Sequence, residues 1–331
     1  MTATARSIAR IMGRRGVNAL VTLFLVLILN FFLFRVMPGN PIRMLIPQDP
    51  SISQEYIDSQ IEKFGLDQPM YVQFFTYLKN TFMLEFGDSF HYHEPVMDII
   101  MDELTWTLIL VGTSSVLMIA VGMFIGIIAA WKHGGLFDTG SLAFSLFFYA
   151  MPTFWFSMML IVIFALELNW FPEGGQLPIG DQLTPFTFDT LSSLLYHLVL
   201  PAASLTIGSI AAFSIIMRGS LIDVMTEEYI TTARAKGLTE AMVLKDHAVP
   251  NAMLPMVTLI AMDMAFVVGG AFQTEIVFNY KGIGWATVQA TYQKDYPFLQ
   301  AAFLIIAIAV IIANLLADLM LIYLDPRVKM G

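Results

Sequence analysis

Few residues in this sequence combine the types and the spacing that chemistry requires. His93 and Glu94 begin like a zinc-protease helix, but Met97 stands where that motif has its second histidine. No glycine is followed by lysine, so the chain lacks the phosphate-binding loop of an ATPase. It has no cysteine for a thiolate metal site. We therefore predict no enzyme, no metal site and no bound cofactor, with a metal contact at His91 and His93 as the open alternative.

Three carboxylates fall inside long apolar stretches, where ionisable groups are costly and usually functional. They are Asp263, Glu275 and Asp318. Asp263 lies deepest, and it either lines a translocation path or packs inside the protein. Asp318 is expected to pack or to pair with Arg218 or Arg327, and a proton relay is the alternative.

The elements that hold these carboxylates are long enough to cross a membrane. Hydrophobic residues make up 57% of the 331 positions and charged residues 13%, about half the charged share of a soluble domain. A bilayer core requires about 20 apolar residues per helix. Six predicted spans meet this requirement: Val17–Met37, which we expect to remain as an anchor, Leu104–Trp131, Ser141–Leu168, Leu194–Met217, Met253–Phe278 and Phe298–Leu324.

Basic residues predict the orientation of these spans. With six spans, eleven Lys and Arg residues fall on one side of the membrane and five on the other. The side with more basic residues is expected to face the cytoplasm, so both termini are expected on the cytoplasmic side of a prokaryotic inner membrane. The acidic groups lie mostly outside: eleven carboxylates occur between Asp49 and Glu103. The net charge of −9 gives no sign of nucleic-acid binding. The predicted parts are a basic N-terminus (1–16), the first span (17–37), an external segment (38–103), a core (104–324) and a cytoplasmic tail (325–331).

Two short helices are predicted in the external segment. Ser53 is a suitable N-cap for a helix that ends at Phe64, because Gly65 follows as a stop. A second helix is predicted from Met70 to Phe82, after Pro69. Both are expected to pack on the outer end of the bundle.

The connection between the fourth and fifth spans, residues 218–252, is the most informative part of the chain. A merely structural connection between two helices usually takes 2–8 residues, so this length indicates a docking element. We predict a helix from Thr226 to Lys236, a stop at Gly237, and a second helix from Glu240 to about His247 that Pro250 terminates.

The 218–252 segment resembles the coupling motif of binding-protein-dependent importer permeases, in their oligopeptide, dipeptide and nickel branch. Thr231 replaces the glutamate of the general motif, as is usual in that branch, and Pro250 keeps the spacing from Gly237. The residues that carry the match are Glu228, Tyr229, Ala233, Arg234, Ala235, Lys236, Gly237 and Leu238, followed by His247 and Asn251.

The resemblance extends along nearly the whole chain, with two departures. Asn40 stands for the usual aspartate after the first span, and Lys281 for the usual proline before Gly282. The further matching stretches are 35–41, 65–69, 87–90, 152–155, 200–202, 282–284 and 324–327.

The resemblance implies an all-α permease of six spans, of the type I importer kind, with a small external helical domain. It also implies a second homologous permease, two ATP-binding subunits that carry ATP and Mg²⁺, an extracytoplasmic binding protein and contact with membrane lipid. The residues that carry the match in the 218–252 segment would contact the ATPase. Arg234 and Lys236 are expected to meet acidic groups there or lipid headgroups.

The expected cargo is a di- or oligopeptide, and oligosaccharides or nickel chelates are the alternatives within the same architecture. A transporter driven by an ion gradient is a rival class, with Asp263 and Asp318 carrying the coupling. It predicts internal repeats, and we find no convincing repeat in the sequence. A solvated hairpin at the membrane surface is the rival interpretation of the 218–252 segment.

Overall fold

A computed structural model describes residues 3–35, 55, 68–178, 187–267 and 271–324. The fold is all α in this part, as predicted. Its helices are α1 (Ala3–Arg35), α2 (Met70–Phe82), α3 (Val96–Trp131), α4 (Leu136–Tyr149), α5 (Thr153–Leu160, continued by a π-helix, Ile161–Glu167), α6 (Phe188–Met225), α7 (Glu228–Ala235), α8 (Glu240–Met242, continued by a π-helix, Val243–Ala248), α9 (Val249–Val267), α10 (Phe272–Val277), α11 (Ile283–Gln293) and α12 (Tyr296–Leu324).

Helix α6 is the centre of the bundle. Half of its most apolar window is buried, against 22%, 28% and 33% in α1, α3 and α12. Helices α3, α4, α5 and α9 pack directly against it, and α12 joins α1 to α9. The apolar surface that the outer helices leave exposed fits a lipid environment.

Two glycines set the distance between α3 and α6. Gly122 and Gly126 are four residues apart on α3, one turn from each other on the same face. A β-carbon at Gly122 would lie 2.7 Å from Cβ of Phe213, and one at Gly126 would lie 2.6 Å from the backbone oxygen of Ser214. Small residues at this spacing let two membrane helices approach to backbone contact.

The structure corrects the third predicted span. Ser141–Leu168 is not one helix, because α4 and the helix that begins at Thr153 meet at an angle of 101°. Pro152 lies at the break; it has no N–H to donate and its ring disfavours a helical conformation at Met151.

Four helices of the described part are long and apolar enough to cross a membrane, and the bent pair makes a fifth if it counts as one span. The four are Met12–Phe34, Val96–Trp131, Phe188–Met225 and Tyr296–Leu316. Helix α9 covers the predicted fifth span as far as Val267, and the separate helix α10 covers its end at Phe272–Val277. The predicted count of six stays a prediction.

A compact layer covers the end of the bundle that lies opposite to the 218–252 segment. The predicted helix Met70–Phe82 is confirmed with both bounds, whereas the one at 53–64 lies outside the described residues apart from Glu55. The buried carboxylate of Asp295 caps α12 and accepts the hydroxyl of Ser89. This contact joins the loop before α3 to the last helix.

Candidate functional site

The 218–252 segment forms two short helices joined by a sharp turn, as the sequence predicts. Helix α7 begins two residues later than predicted and ends one residue earlier, with Glu227 at its N-cap and Glu228 in its first turn. Gly237 has φ +81°, the left-handed conformation that ends a helix, and its N–H donates to the Arg234 carbonyl at 2.9 Å. A β-carbon at Gly237 would meet no atom of this chain within 4 Å, so the conformation rather than the space requires glycine.

The second half of the segment differs from the prediction after its first turn. The Thr239 hydroxyl accepts the Met242 N–H at 3.4 Å, as predicted for an N-cap. Pro250 does not end the helix, however, because it is the second residue of α9. Proline is tolerated in a first helical turn. The π-helix Val243–Ala248 therefore leads straight into the membrane helix.

One face of the segment is anchored in the bundle. Ile230 and Ala233 of α7 and Val243 of the π-helix are buried, and they share a core with Met217 and Leu221 of α6. Ala233 is one of the residues expected to contact the ATPase, but its methyl group faces the core of its own chain. The burial attaches α7 to α6 and α9 as one body.

The opposite face is exposed. Glu228, Tyr229, Ala235, Lys236 and Gly237 all lie on the surface. The face thus presents a carboxylate, a phenol, an ammonium group and a glycine turn side by side. Tyrosine is enriched at protein interfaces, so an exposed face that carries Tyr229 can meet a protein partner.

Arg234 is engaged within the segment. Its guanidinium donates to both carboxylate oxygens of Glu240, at 2.8 and 3.2 Å, across the turn at Gly237. The two side chains are 39% and 54% exposed, so the pair adds little stability. The pair bridges the turn between α7 and α8. Lys236 is the cation of the turn that has no intramolecular ion pair in the described residues.

Three further predicted residues lie along the edges of this surface. Leu238 is half-buried against the same core as Ile230. The Asn251 amide donates to the His247 carbonyl at 2.7 Å, which supports the backbone where the π-helix ends. Partial burial, with a smaller effect of the Glu227 charge, raises the pKa of Tyr229. The phenol is protonated at neutral pH even without this shift, and it can donate a hydrogen bond.

Asp263 lies on α9, apart from the 218–252 segment. It is half-buried beside Ser115 of α3, and its Oδ2 has no hydrogen-bond partner among the described residues. This oxygen is buried from solvent within the chain, and a buried polar atom without a partner calls for a structural or functional explanation. The side chain of Asp318 lies outside the described residues.

Glu275 is a structural residue. It is fully buried, and its carboxylate accepts the Thr107 hydroxyl at 2.8 Å and the Trp285 N–H at 2.9 Å. A β-carbon at Gly282 or Gly284 would lie 2.8 Å from this carboxyl group. The glycine pair therefore admits Glu275 to the N-terminus of α11, where a negative charge is stabilised.

The sequence singled out Glu275 by its place in an apolar stretch, but it did not show that Gly282 and Gly284 make room for its carboxyl group. Nothing in the sequence pointed to Asp138, which binds Arg218 from 80 residues away. Among the described residues, no group of three His, Cys, Asp or Glu could hold a metal ion. The backbone N–H of His91 donates a hydrogen bond to the hydroxyl oxygen of Ser89.

Two family models match the chain. Residues 122–330 match the binding-protein-dependent transport system inner membrane component, and residues 8–111 match the N-terminal part of such membrane components.

Curated relatives match over nearly the full length. An oligopeptide transport system permease protein of Bacillus subtilis is 33% identical over 96% of this chain and 98% of its own. A di/tripeptide transport system permease protein of Pseudomonas aeruginosa is 33% identical over 93% and 95%. A dipeptide transport system permease protein of Alkalihalophilus pseudofirmus is 32% identical over 91% and 94%.

One solved structure shares the fold. It is an inward-facing conformation of the MetNI methionine ABC transporter, with a TM-score of 0.54 and 15% identity. The match covers 69% of this chain and 97% of the other.

Proposed function

We propose, since this chain belongs to the family of binding-protein-dependent transport system inner membrane components, that it is the permease subunit through which an ATP-driven importer moves peptides. As a permease of this family it is a multi-pass inner-membrane protein. The observation that carries the proposal is the 218–252 segment, in which two short helices are rooted in the bundle on one face and exposed on the other.

A separate ATPase supplies the energy in this proposal. The chain has no phosphate-binding loop of its own, so ATP and Mg²⁺ bind to two partner subunits. One partner receives the exposed face of the segment around Gly237. When the ATPase pair closes, the segment moves with α6 and α9, because its buried face joins them in one core. A second permease completes the pore, an extracytoplasmic binding protein delivers the cargo, and both termini lie in the cytoplasm.

Peptides are the proposed cargo because the three curated relatives are named as peptide, dipeptide or oligopeptide permeases. The test is to purify the assembly with its partner subunits and binding protein, and to measure ATP hydrolysis with dipeptides, longer peptides, oligosaccharides or nickel chelates. Stimulation by peptides is expected. Stimulation only by sugars or chelates would replace the cargo, and uptake driven by an ion gradient without ATP would overturn the proposal.

Asp263 is proposed to line the translocation path. The chain has no cysteine, so an Asp263→Cys variant carries a single thiol in this subunit. We expect a charged, water-soluble thiol reagent to label it during ATP-driven transport and to block uptake. Phe213→Cys, at a buried position, is the matched control and should stay unlabelled. Equal protection of both thiols would contradict the assignment.

A further inference from the structure

Asp138 is a buried carboxylate whose contacts join two membrane helices. It lies in the first turn of α4 and is 3% exposed. Its oxygens accept the Nε and Nη2 groups of Arg218, the latter at 2.8 Å, and the Gly134 N–H at 2.9 Å. The His133 ring nitrogen lies 3.0 Å away. The two-point contact fixes the orientation of the guanidinium as well as its distance.

Arg218 occupies a special place on α6. It lies two turns before Met225, where α6 ends and α7 follows after a short turn. Displacement of the 218–252 segment therefore reaches the bundle through this end of α6 as well as through α9. Because Arg218 binds Asp138 of α4 at this point, a displacement of α6 is also transmitted to α4.

A second polar contact lies one turn further into the membrane. The hydroxyl oxygens of Ser145 on α4 and Ser214 on α6 are 3.2 Å apart, and both residues are buried. Because Ser214 and Arg218 are four residues apart, the two contacts lie on the same face of α6. Together they oppose both sliding and rotation of α4 against α6.

Much of the remaining surface of α4 is exposed in this chain. Leu136, Phe147 and Tyr149 are 95%, 60% and 63% exposed, and the chain bends by 101° after α4. Among the described helices, α4 packs most extensively on α6 and less on α3, and its Phe148 ring also meets the ring of Phe156 on α5, with 5.1 Å between the ring centroids. The position of α4 is thus set chiefly by α6.

We propose that Asp138 and Arg218 form the joint through which α6 carries the movement of the 218–252 segment into α4. Asp138 is a positioning residue: it touches neither cargo nor nucleotide, and it determines that α4 moves with α6. This inference rests on the proposed function, because it names the path by which the same segment moves the bundle.

A disulfide between α4 and α6 tests the joint directly. In the cysteine-free chain, Ser145→Cys and Ser214→Cys together place two thiols where two hydroxyls now lie 3.2 Å apart. If α4 and α6 move as one body, oxidation should leave ATP-dependent uptake unchanged in the reconstituted assembly. A loss of uptake that a reductant reverses would overturn the proposal. Each single cysteine variant is the control.

A double substitution separates a coupling role from a structural one. In Asp138→Asn with Arg218→Gln both charges are removed, so no unpaired charge is left buried and the assembly should keep its melting temperature. We expect the amount of cargo moved per ATP hydrolysed to fall by about tenfold, the scale of a coupling energy between two sites. Wild-type coupling in the double variant would overturn the joint.

Two comparisons complete this test. Lys132→Gln removes an exposed charge from the same loop without touching Asp138, and it should couple like the wild type. The wild-type assembly in the same vesicles reports on the proposed function itself. If it shows no ATP-dependent uptake, that function fails; if it transports and the double variant matches it, only the joint fails.

Discussion

Replacing Gly237 by valine is expected to abolish ATP-driven uptake while leaving the permease in the membrane. Gly237 has φ +81°, and a left-handed conformation costs an L-residue about 1–2 kcal/mol, more when the residue is β-branched. Valine would therefore straighten or twist the turn between α7 and α8 and displace the exposed face from its partner. Uptake in vesicles, with the amount of inserted protein measured alongside, checks the prediction.

Two further variants identify the reason for the loss. Gly175→Val has the same backbone cost, since Gly175 has φ +84°, but it lies outside the 218–252 segment and should keep uptake. Gly237→Asn should keep much of the uptake, because asparagine tolerates the left-handed conformation. Normal uptake by Gly237→Val would show that this turn has no part in coupling.

Replacing Gly126 by leucine is expected to prevent stable folding. A β-carbon there would already lie 2.6 Å from the Ser214 carbonyl oxygen and 2.8 Å from Cβ of Met217. The Ser214 oxygen belongs to the backbone, so it cannot move away by a change of rotamer. Overpacking commonly costs about 1–3 kcal/mol even where the contacts are with side chains. The melting temperature and the yield of membrane-inserted protein should both fall.

The same helix offers a matched control. Gly112 also lies in α3, and a β-carbon there would meet nothing within 4 Å. Gly112→Leu should therefore insert and melt like the wild type, and leucine is the better helix former. If both leucine variants were equally stable, the close contact of α3 with α6 would not be what holds the bundle together.

Local signals explain which elements the sequence predicts well. Helix α2 begins and ends at the predicted residues. Pro69 suits the position before the first turn of a helix, and the residues after Pro69 form an apolar helical face. Gly237 ends α7 as predicted, and Thr239 caps the next helix. Each of these features depends on residues within one turn of the position concerned.

Prolines show where local signals fail. Pro152 breaks the third predicted span, whereas Pro250 continues into α9 and Pro201 lies inside α6. A proline loses least in a first turn or where packing holds the helix on both sides, and tertiary contacts decide which case applies. The π-helix before Pro250 depends on the same contacts, since Val243 and Ala248 are buried in the core.

Long-range polar pairs escape the sequence for a related reason. Glu275 looks like a membrane carboxylate until the fold brings Thr107 to it from 168 residues away. In the sequence, Asp138 is an ordinary acidic residue in the first turn of a helix. Only the fold shows that it binds Arg218. Ala233 has the size of a contact residue, but only the fold tells that its methyl group points inward. The motif identified the segment, while the structure divides it into a buried and an exposed face.

A photo-cross-linking amino acid at Ala235 tests most directly whether the exposed face of the 218–252 segment receives its motion from a separate ATPase. Ala235 is exposed beside Gly237, so the probe should not disturb the buried face. After illumination in membranes that contain the full assembly, we predict one main adduct with a polypeptide that has a phosphate-binding loop, and a yield that changes when ATP is added. Adducts with an external protein, or with lipid alone whether or not ATP is present, would contradict the account.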